Sequence, residues 1–92
     1  MRETITRNLG EVVELQLSAA MQWGMGLNDP DHILAPALPQ GETDATGKTR
    51  IWHFDTVAIG TATIIFNGRP QLVAGQAHPH IMMAREFTVI VQ

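Results

Sequence analysis

Apolar and polar residues alternate along four stretches of this chain, and this period of two is typical of strands that bury one face. The stretches read EVVELQL at 11–17, TRIWHFD at 49–55, TATIIF at 61–66 and AREFTVIVQ at 84–92. Apolar residues do not recur at helical spacing over any long window, and glycine, proline and threonine interrupt the chain often. The inward-facing positions predicted from this pattern are Val13, Leu15, Leu17, Trp52, Phe54, Ala62, Ile64, Phe66, Phe87, Val89 and Val91.

Two segments between these strands lack a clear period. Residues 27–48 are rich in proline, glycine and aspartate, and we expect one short strand around His32 to Ala35 followed by a long mobile loop. Residues 67–80 form a second irregular region. Several short strands with turn signals between them predict an all-β sandwich or barrel.

Length and composition restrict the possible classes of protein. The chain has 92 residues, which suits a single domain spanning 1–92, and its net charge of −3 with only six scattered basic residues argues against nucleic-acid binding. There is no cysteine, and no apolar run approaches the roughly 20 residues that cross a bilayer. The N-terminus carries no signal-peptide pattern, so we expect a periplasmic or secreted protein if a signal was removed and a cytoplasmic one otherwise.

The polar residues form no convincing catalytic or metal-binding set. His78 and His80 are close in sequence, but no acidic residue or cysteine accompanies them at ligand spacing, so surface histidines are the simpler interpretation. ATGKTR at 45–50 lacks the first glycine of a phosphate-binding loop and precedes a strand, which favours a hairpin loop. Ser18 is the only serine and lies outside any nucleophile pattern. We therefore predict a protein that is not an enzyme and needs no cofactor or metal.

Two features invite a binding role and also allow a purely structural one. Trp23 lies in SAAMQWGMG, next to Gly24 and Gly26, where it either covers the core or serves as an exposed anchor for a partner. Arg69 and Pro70 follow Asn-Gly, and this sequence is either a rigid turn between strands or the base of a binding loop.

In order and spacing, five pieces of the chain resemble the chagasin-type inhibitors of papain-like cysteine proteases. GEVVELQL is similar to that family's first core strand, and GKTRIWHF to its glycine-rich loop and following strand. AIGTATIIF is similar to its Pro-Gly-Thr-Ala-Thr strand with Ile59 in place of the proline, NGRP to its Arg-Pro loop, and REFTVIV to its closing strand. The resemblance implies an immunoglobulin-like β-sandwich with long connecting loops.

The family binds its target with three loops at one end of the sandwich, and the resemblance assigns these loops to numbered positions here. In the first loop only length and glycine are kept, in the second only Gly47 matches, and in the third the aromatic after Arg-Pro is missing. The implied protease-binding residues are Ala20, Met21, Gln22, Trp23, Gly24 and Met25 in the first loop, Thr46, Gly47 and Lys48 (near Ala45) in the second, and Arg69, Pro70 and Gln71 in the third.

The resemblance implies a monomeric, reversible inhibitor that wedges three loops into the cleft of a papain-like cysteine protease, with no nucleic-acid or membrane partner. The alternative is an immunoglobulin-like binding or structural module that has lost inhibition. An exposed apolar cluster of Met21, Trp23 and Met25 beside Arg69 would favour the inhibitor. Burial of Trp23 in the core would favour the alternative.

Overall fold

The structure is a computed structural model that describes residues 2–70 and 83–92. These residues form seven strands and, within the described ranges, no helix that could cross a membrane. The strands are β1 (Arg2–Arg7), β2 (Val12–Ser18), β3 (Met21–Asn28), β4 (Leu34–Thr43), β5 (Thr49–Thr56), β6 (Gly60–Pro70) and β7 (Met83–Val91).

The strands form two facing sheets, which is the immunoglobulin-like sandwich that the sequence predicted. One sheet has the order β1-β7-β6-β3, and the second has the order β2-β5-β4. All neighbouring pairs are antiparallel except β1 with β7, which is parallel. The predicted fold class is confirmed.

The core lies between the sheets and consists of the residues that the alternation placed on the inward faces. All eleven predicted positions are buried, and Ile33 and Leu34 complete the cluster. The ring of Phe66 lies at the centre, 4.9 Å from Trp52 and 5.8 Å from Phe87 in edge-on geometry. Full burial of a side chain such as Phe66 stabilises the fold by about 2–3 kcal/mol.

Strand β1 was not predicted, because RETITR contains a single apolar residue, Ile5. Its pairing with β7 is reinforced by two ion pairs across the strands, Arg2 with Glu86 at 2.6 Å and Arg85 with Glu3 at 2.7 Å. Exposed ion pairs contribute little each, so main-chain pairing with β7 places this strand. Such support is invisible in a local sequence pattern.

The prediction for residues 27–48 is wrong in its extent. In place of a short strand and a long loop, the chain forms β4, ten residues long and paired with β5, with register shifts between Ala37 and Gln40 and between Gln40 and Glu42. The bulges break the period of two, which hides the strand from sequence analysis. The strand is anchored by Asp29, whose carboxylate accepts hydrogen bonds from the backbone N–H groups of Ile33 and Leu34 at 2.8 and 2.9 Å.

The segment around Trp23 was also misassigned, because it is a strand and not a loop. Met21, Trp23, Met25 and Leu27 alternate with Gln22, Gly24, Gly26 and Asn28 throughout β3. The period was present, but two glycines at the outward positions obscured it. Reading glycine as a polar position would have revealed the strand.

Candidate functional site

Three chain connections start from strand ends at one end of the sandwich, which we call the loop end. The turn Ala19–Ala20 joins β2 to β3, residues 44–48 join β4 to β5, and the third connection leaves β6 after Pro70 and enters β7 at Met83. The Ala19 N–H donates a hydrogen bond to the Lys48 carbonyl at 2.9 Å, so the first two connections are in contact. Met21 pairs with Pro70 in the β3–β6 register, which places the end of β6 beside the first connection.

The second connection is organised by the carboxylate of Asp44. Its Oδ1 accepts hydrogen bonds from the backbone N–H of Thr46 at 3.1 Å and from the Thr46 hydroxyl at 2.6 Å. The Thr46 hydroxyl oxygen in turn accepts from the Lys48 N–H, and Gly47 adopts a φ of 73°, which glycine tolerates without strain. The hairpin loop expected for ATGKTR is confirmed, and it is ordered by its own side chains.

These bonds hold Asp44 in its charged form. The hydrogen bond from the Thr46 hydroxyl is the largest cause that lowers the pKa of Asp44, and backbone N–H donors add to it. The carboxylate is therefore charged throughout the neutral and mildly acidic range, and the order of this connection does not depend on pH there.

The first connection is much shorter than the six-residue loop that the resemblance implied. Only Ala19 and Ala20 lie between the strands, and the Ser18 hydroxyl accepts a hydrogen bond from the Ala20 N–H at 3.2 Å. Of the residues assigned to this loop, Ala20 is in the turn and Met21 through Met25 are in β3. The chain enters the four-stranded sheet early because β3 continues the pairing with β6 as far as Pro70.

Trp23 is half-buried and packs against the core. Its ring lies edge-on to Phe66 at 6.4 Å, and its Nε1–H donates to the Ser18 carbonyl at 2.8 Å. The indole covers Gly68 so closely that a Cβ at position 68 would collide with the ring. Of the two roles considered for Trp23, covering the core is the one that this geometry describes.

The apolar residues of β3 and the arginine of β6 lie on opposite faces of their sheet. Trp23 pairs with Gly68 and points inward, whereas Gln22 pairs with the exposed Arg69, one residue further along β6. The cluster of Met21, Trp23 and Met25 beside Arg69, which would have favoured the inhibitor, is therefore not assembled. Arg69 instead lies on the outer face at the margin of the loop end.

Basic residues concentrate at the loop end. Lys48, Arg50 and Arg69 are three of the six basic residues of the chain, and Lys48 and Arg69 are exposed. Arg50 lies opposite Leu17 and Thr43, and its buried Nε has no hydrogen-bond partner in the described part of the chain. Sequence analysis did not single out Arg50.

Acidic residues are present at both ends of the molecule. At the loop end, the carboxylate of Asp44 is occupied by Thr46, and Glu42 is exposed. The opposite end carries Glu11, Asp29 and Asp31. The molecule thus has a more basic loop end on a chain of net charge −3.

The described residues offer little other chemistry. Within residues 2–70 and 83–92 no group of three His, Asp or Glu side chains could hold a metal ion. His53 Nε2 lies 2.9 Å from Glu14 Oε1 on the outer face of the second sheet, and this bond is the main cause that lowers the pKa of Glu14. A surface depression of about 270 Å³ lies on the sheet of β1, β7 and β6, between Arg2 and Ile65. His78, His80 and Gln71 lie outside the described residues.

Comparison with known proteins identifies the fold. No family model and no curated protein matches the chain by sequence. Among solved structures, the crystal structure of the cysteine protease inhibitor EhICP2 from Entamoeba histolytica matches with a TM-score of 0.64 and 14% sequence identity. The match covers 97% of this chain and 85% of that one.

The fold is thus an immunoglobulin-like sandwich, the architecture that a solved cysteine protease inhibitor also has. The resemblance to chagasin-type inhibitors predicted from the sequence is confirmed at the level of the fold. A match at 14% sequence identity shows only the fold, so the activity of this chain and the roles of its individual residues are proposals.

Proposed function

We propose that this chain is a reversible protein inhibitor of papain-like cysteine proteases and that it binds with its loop end. The observation that carries the proposal is the joining of the connections. The Ala19 N–H donates to the Lys48 carbonyl, and Met21 pairs with Pro70, so the first two connections and the end of β6, which are far apart in sequence, lie together. The fold shared with the inhibitor EhICP2 supports the same assignment.

The loop end has the rigidity that an inhibitor requires. The Asp44 N–H donates to the Thr49 carbonyl at 2.8 Å, and the Gly47 N–H donates to the Asp44 carbonyl at 3.1 Å, which closes the second connection. A connection that is ordered before binding loses less entropy in the complex. It also resists the extended conformation that a protease needs for cleavage, so the loops can block a cleft without being cut.

We assign the contact surface to the tips of the connections and the start of the adjoining strands. Ala20 and Met21 would contribute the first part, Thr46, Gly47 and Lys48 the second, and Arg69 and Pro70 the third. Trp23 then acts as a support beneath the first connection, because its indole fixes Ser18 and packs on Phe66. A working interface of this kind covers roughly 800 Å² on each partner.

The alternative is a binding module of the same fold that uses another surface. Two observations favour it. Trp23 packs against the core instead of standing exposed at the loop end, and an apolar group lies at the opposite end, where Val57 is 55% exposed and Ile59 is 68% exposed. Exposed apolar residues of this kind are common at interaction surfaces. This end is opposite the loop end, so the two functions can be separated by substitution.

The deciding experiment measures inhibition of papain and of a cathepsin-L-like enzyme by the purified chain, beside Lys48→Ala and Arg69→Ala. The matched control is Arg7→Ala, which removes a cation from the opposite end. Competitive inhibition below about 1 μM that weakens in both loop-end variants and is unchanged in the control is the expected result.

Absence of inhibition at about 100 μM, from a chain that unfolds cooperatively, would contradict the proposal and favour the alternative. A Val57→Ser/Ile59→Ser variant would then be the first probe of the opposite end. Trp23→Ala belongs in the same series with its stability measured, because loss of inhibition there can follow from a weakened scaffold.

A further inference from the structure

The free edge of β3 differs from the other sheet edges formed by the described strands. β1, at the far edge of the same sheet, carries Arg2, Glu3 and Arg7. In the second sheet, the edge strand β2 carries Glu14, and the edge strand β4 carries two prolines and bulges. β3 has the sequence MQWGMGLN, with no charge and no proline, and it pairs with β6 residue for residue from Met21 to Asn28.

Charges, prolines and bulges are the devices by which proteins keep sheet edges from pairing with another chain. An eight-residue edge strand that lacks all of them presents a regular row of backbone donors and acceptors along about 27 Å. The outward positions 24 and 26 are glycines, so no side chain obstructs that face near the edge. This strand is therefore suited to pair with another strand.

The inward face of β3 is incompletely covered by the second sheet. Met25 and Leu27 pair with the fully buried Phe66 and Ile64, yet they are 40% and 39% exposed. Their exposure shows that β3 extends past the cover that the second sheet provides. An additional strand beside β3 would remove part of this apolar surface from water.

The order of residues in β3 indicates which strand would pair with its free edge. Residues 22–28 read Gln-Trp-Gly-Met-Gly-Leu-Asn, a near-palindrome centred on Met25. An antiparallel pair of identical strands has a twofold axis perpendicular to the sheet. A residue on one side of the centre then faces the residue of the other strand that lies equally far on the other side of the centre. Each residue of this segment would meet a residue of matching character.

We propose that the chain forms a symmetric homodimer by antiparallel pairing of β3 with β3 of a second copy, centred on Met25. Trp23 then lies opposite Leu27 of the partner subunit, and Gly24 lies opposite Gly26 of the partner subunit. Gln22 lies opposite Asn28 of the partner subunit on the outer face, where two amides can exchange hydrogen bonds. The two four-stranded sheets become one eight-stranded sheet.

Charge favours this edge over others for self-association. The chain has a net charge of −3, so two copies repel each other in general, but β3 brings no charged side chain into the contact. Antiparallel pairing also directs the two loop ends away from each other, so both stay accessible. The dimer does not depend on the proposed inhibition, and it replaces the monomer expected from the sequence.

Sedimentation velocity of the full chain over a range of concentrations tests the proposal. A single strand pair is a small interface, so we expect a dimer dissociation constant of about 10 μM. The variant Gly24→Lys/Gly26→Lys should be monomeric at concentrations at least tenfold higher, because like charges would face each other across the twofold axis. A Cβ at either position finds ordinary contacts, 3.8 Å from the Asn67 carbonyl and 4.0 Å from the Ile65 carbonyl, so the fold should survive.

The matched control is Thr4→Lys, which places a lysine on the outer face of β1 at the other edge of the same sheet. This variant should dimerise like the parent chain. A parent chain that stays monomeric at about 1 mM, or a dimer that persists unchanged in the double lysine variant, would overturn the proposal.

Cysteine cross-linking tests the register independently, since the chain contains no cysteine. Met25→Cys places two thiols face to face across the axis, within reach of a disulfide after small adjustment, and mild oxidation should yield a covalent dimer. Leu27→Cys places its thiol opposite Trp23 of the partner subunit and should cross-link at least tenfold more slowly. Equal rates for the two variants would contradict pairing centred on Met25.

Discussion

The two ends of the sandwich are closed by hydrogen bonds of different kinds. At the end opposite the loop end, the Thr56 hydroxyl donates to the Glu11 carbonyl at 2.7 Å and accepts from the Gly10 N–H at 2.8 Å. These bonds are partly buried and join residues about 45 positions apart. At the loop end, the bonds of Asp44 and Thr46 are exposed and stay within one connection.

This difference indicates how one scaffold can hold its shape and still present a binding surface. Bonds between distant strands stabilise the whole fold, because breaking them separates elements of the core. Local bonds order the second connection from within, and Lys48 and Arg69 are exposed at the surface. Four predictions test this contrast, from the largest expected effect to the smallest.

The largest effect is expected at Gly68, beneath the Trp23 indole. Gly68→Ala forces the ring from its place on Phe66, because the new Cβ would collide with it. Overpacking of this kind costs about 2–3 kcal/mol, measured as a loss in the free energy of unfolding in urea.

The control is Gly24→Ala on the strand paired with β6, where the Cβ makes an ordinary contact 3.8 Å from the Asn67 carbonyl and the change should stay within about 0.5 kcal/mol. In a double-mutant cycle with Trp23→Leu, the penalty of Gly68→Ala should largely disappear. A full penalty in the leucine background would mean that the indole is not the cause.

A smaller but general loss of stability is expected at the opposite end. Asp29→Ala leaves the backbone N–H groups of Ile33 and Leu34, two buried residues, without their acceptor. We expect a loss of about 2 kcal/mol in urea unfolding, with inhibition unchanged when it is measured well below the melting temperature. Asp31→Ala, at an exposed neighbour, serves as the control, and an equal loss there would argue against the role of Asp29.

Charge at the loop end should affect association with a protease and leave stability nearly unchanged. Lys48→Gln and Arg69→Gln should each slow association with a protease whose cleft has an acidic rim, by about threefold at low salt. The difference in rate between each variant and the parent chain should vanish near 0.5 M salt. Stopped-flow rates measure this, with Arg7→Gln at the opposite end as the control. Equal slowing by Arg7→Gln would show that net charge, not its position, is responsible.

The smallest effect concerns pH. The pKa of Asp44 is lowered chiefly by the Thr46 hydroxyl, so the contribution of this bond to stability is complete above the ordinary pKa of aspartate and is lost as pH falls through the lowered value. Thr46→Val should raise the pKa of Asp44 toward its ordinary value. Amide chemical shifts of residues 46 and 47 over an acid titration report the pKa of Asp44. An unchanged midpoint in Thr46→Val would contradict the role of the Thr46 hydroxyl in lowering that pKa.

Local pattern alone predicted much of the fold. The alternation in β2, β5, β6 and β7 identified eleven core positions, all of them buried, because a period of two leaves no other arrangement for an apolar face. The order of five short pieces also predicted the sandwich, and a solved inhibitor structure of the same fold bears it out. The hairpin loop at 45–48 was predictable because Asp44, Thr46 and Gly47 carry their own turn chemistry.

The remaining features were decided only by tertiary structure. β1 exists because β7 offers it a partner, and β4 is a strand in spite of bulges because β5 pairs along its length. The position of Trp23 under the first connection required Gly68 to lie opposite, 45 residues away in the chain. By itself the sequence determined which faces are apolar, because that information is local. Which strand lies at an edge, and which side chain reaches the surface, depends on contacts between distant residues that only the folded chain brings together.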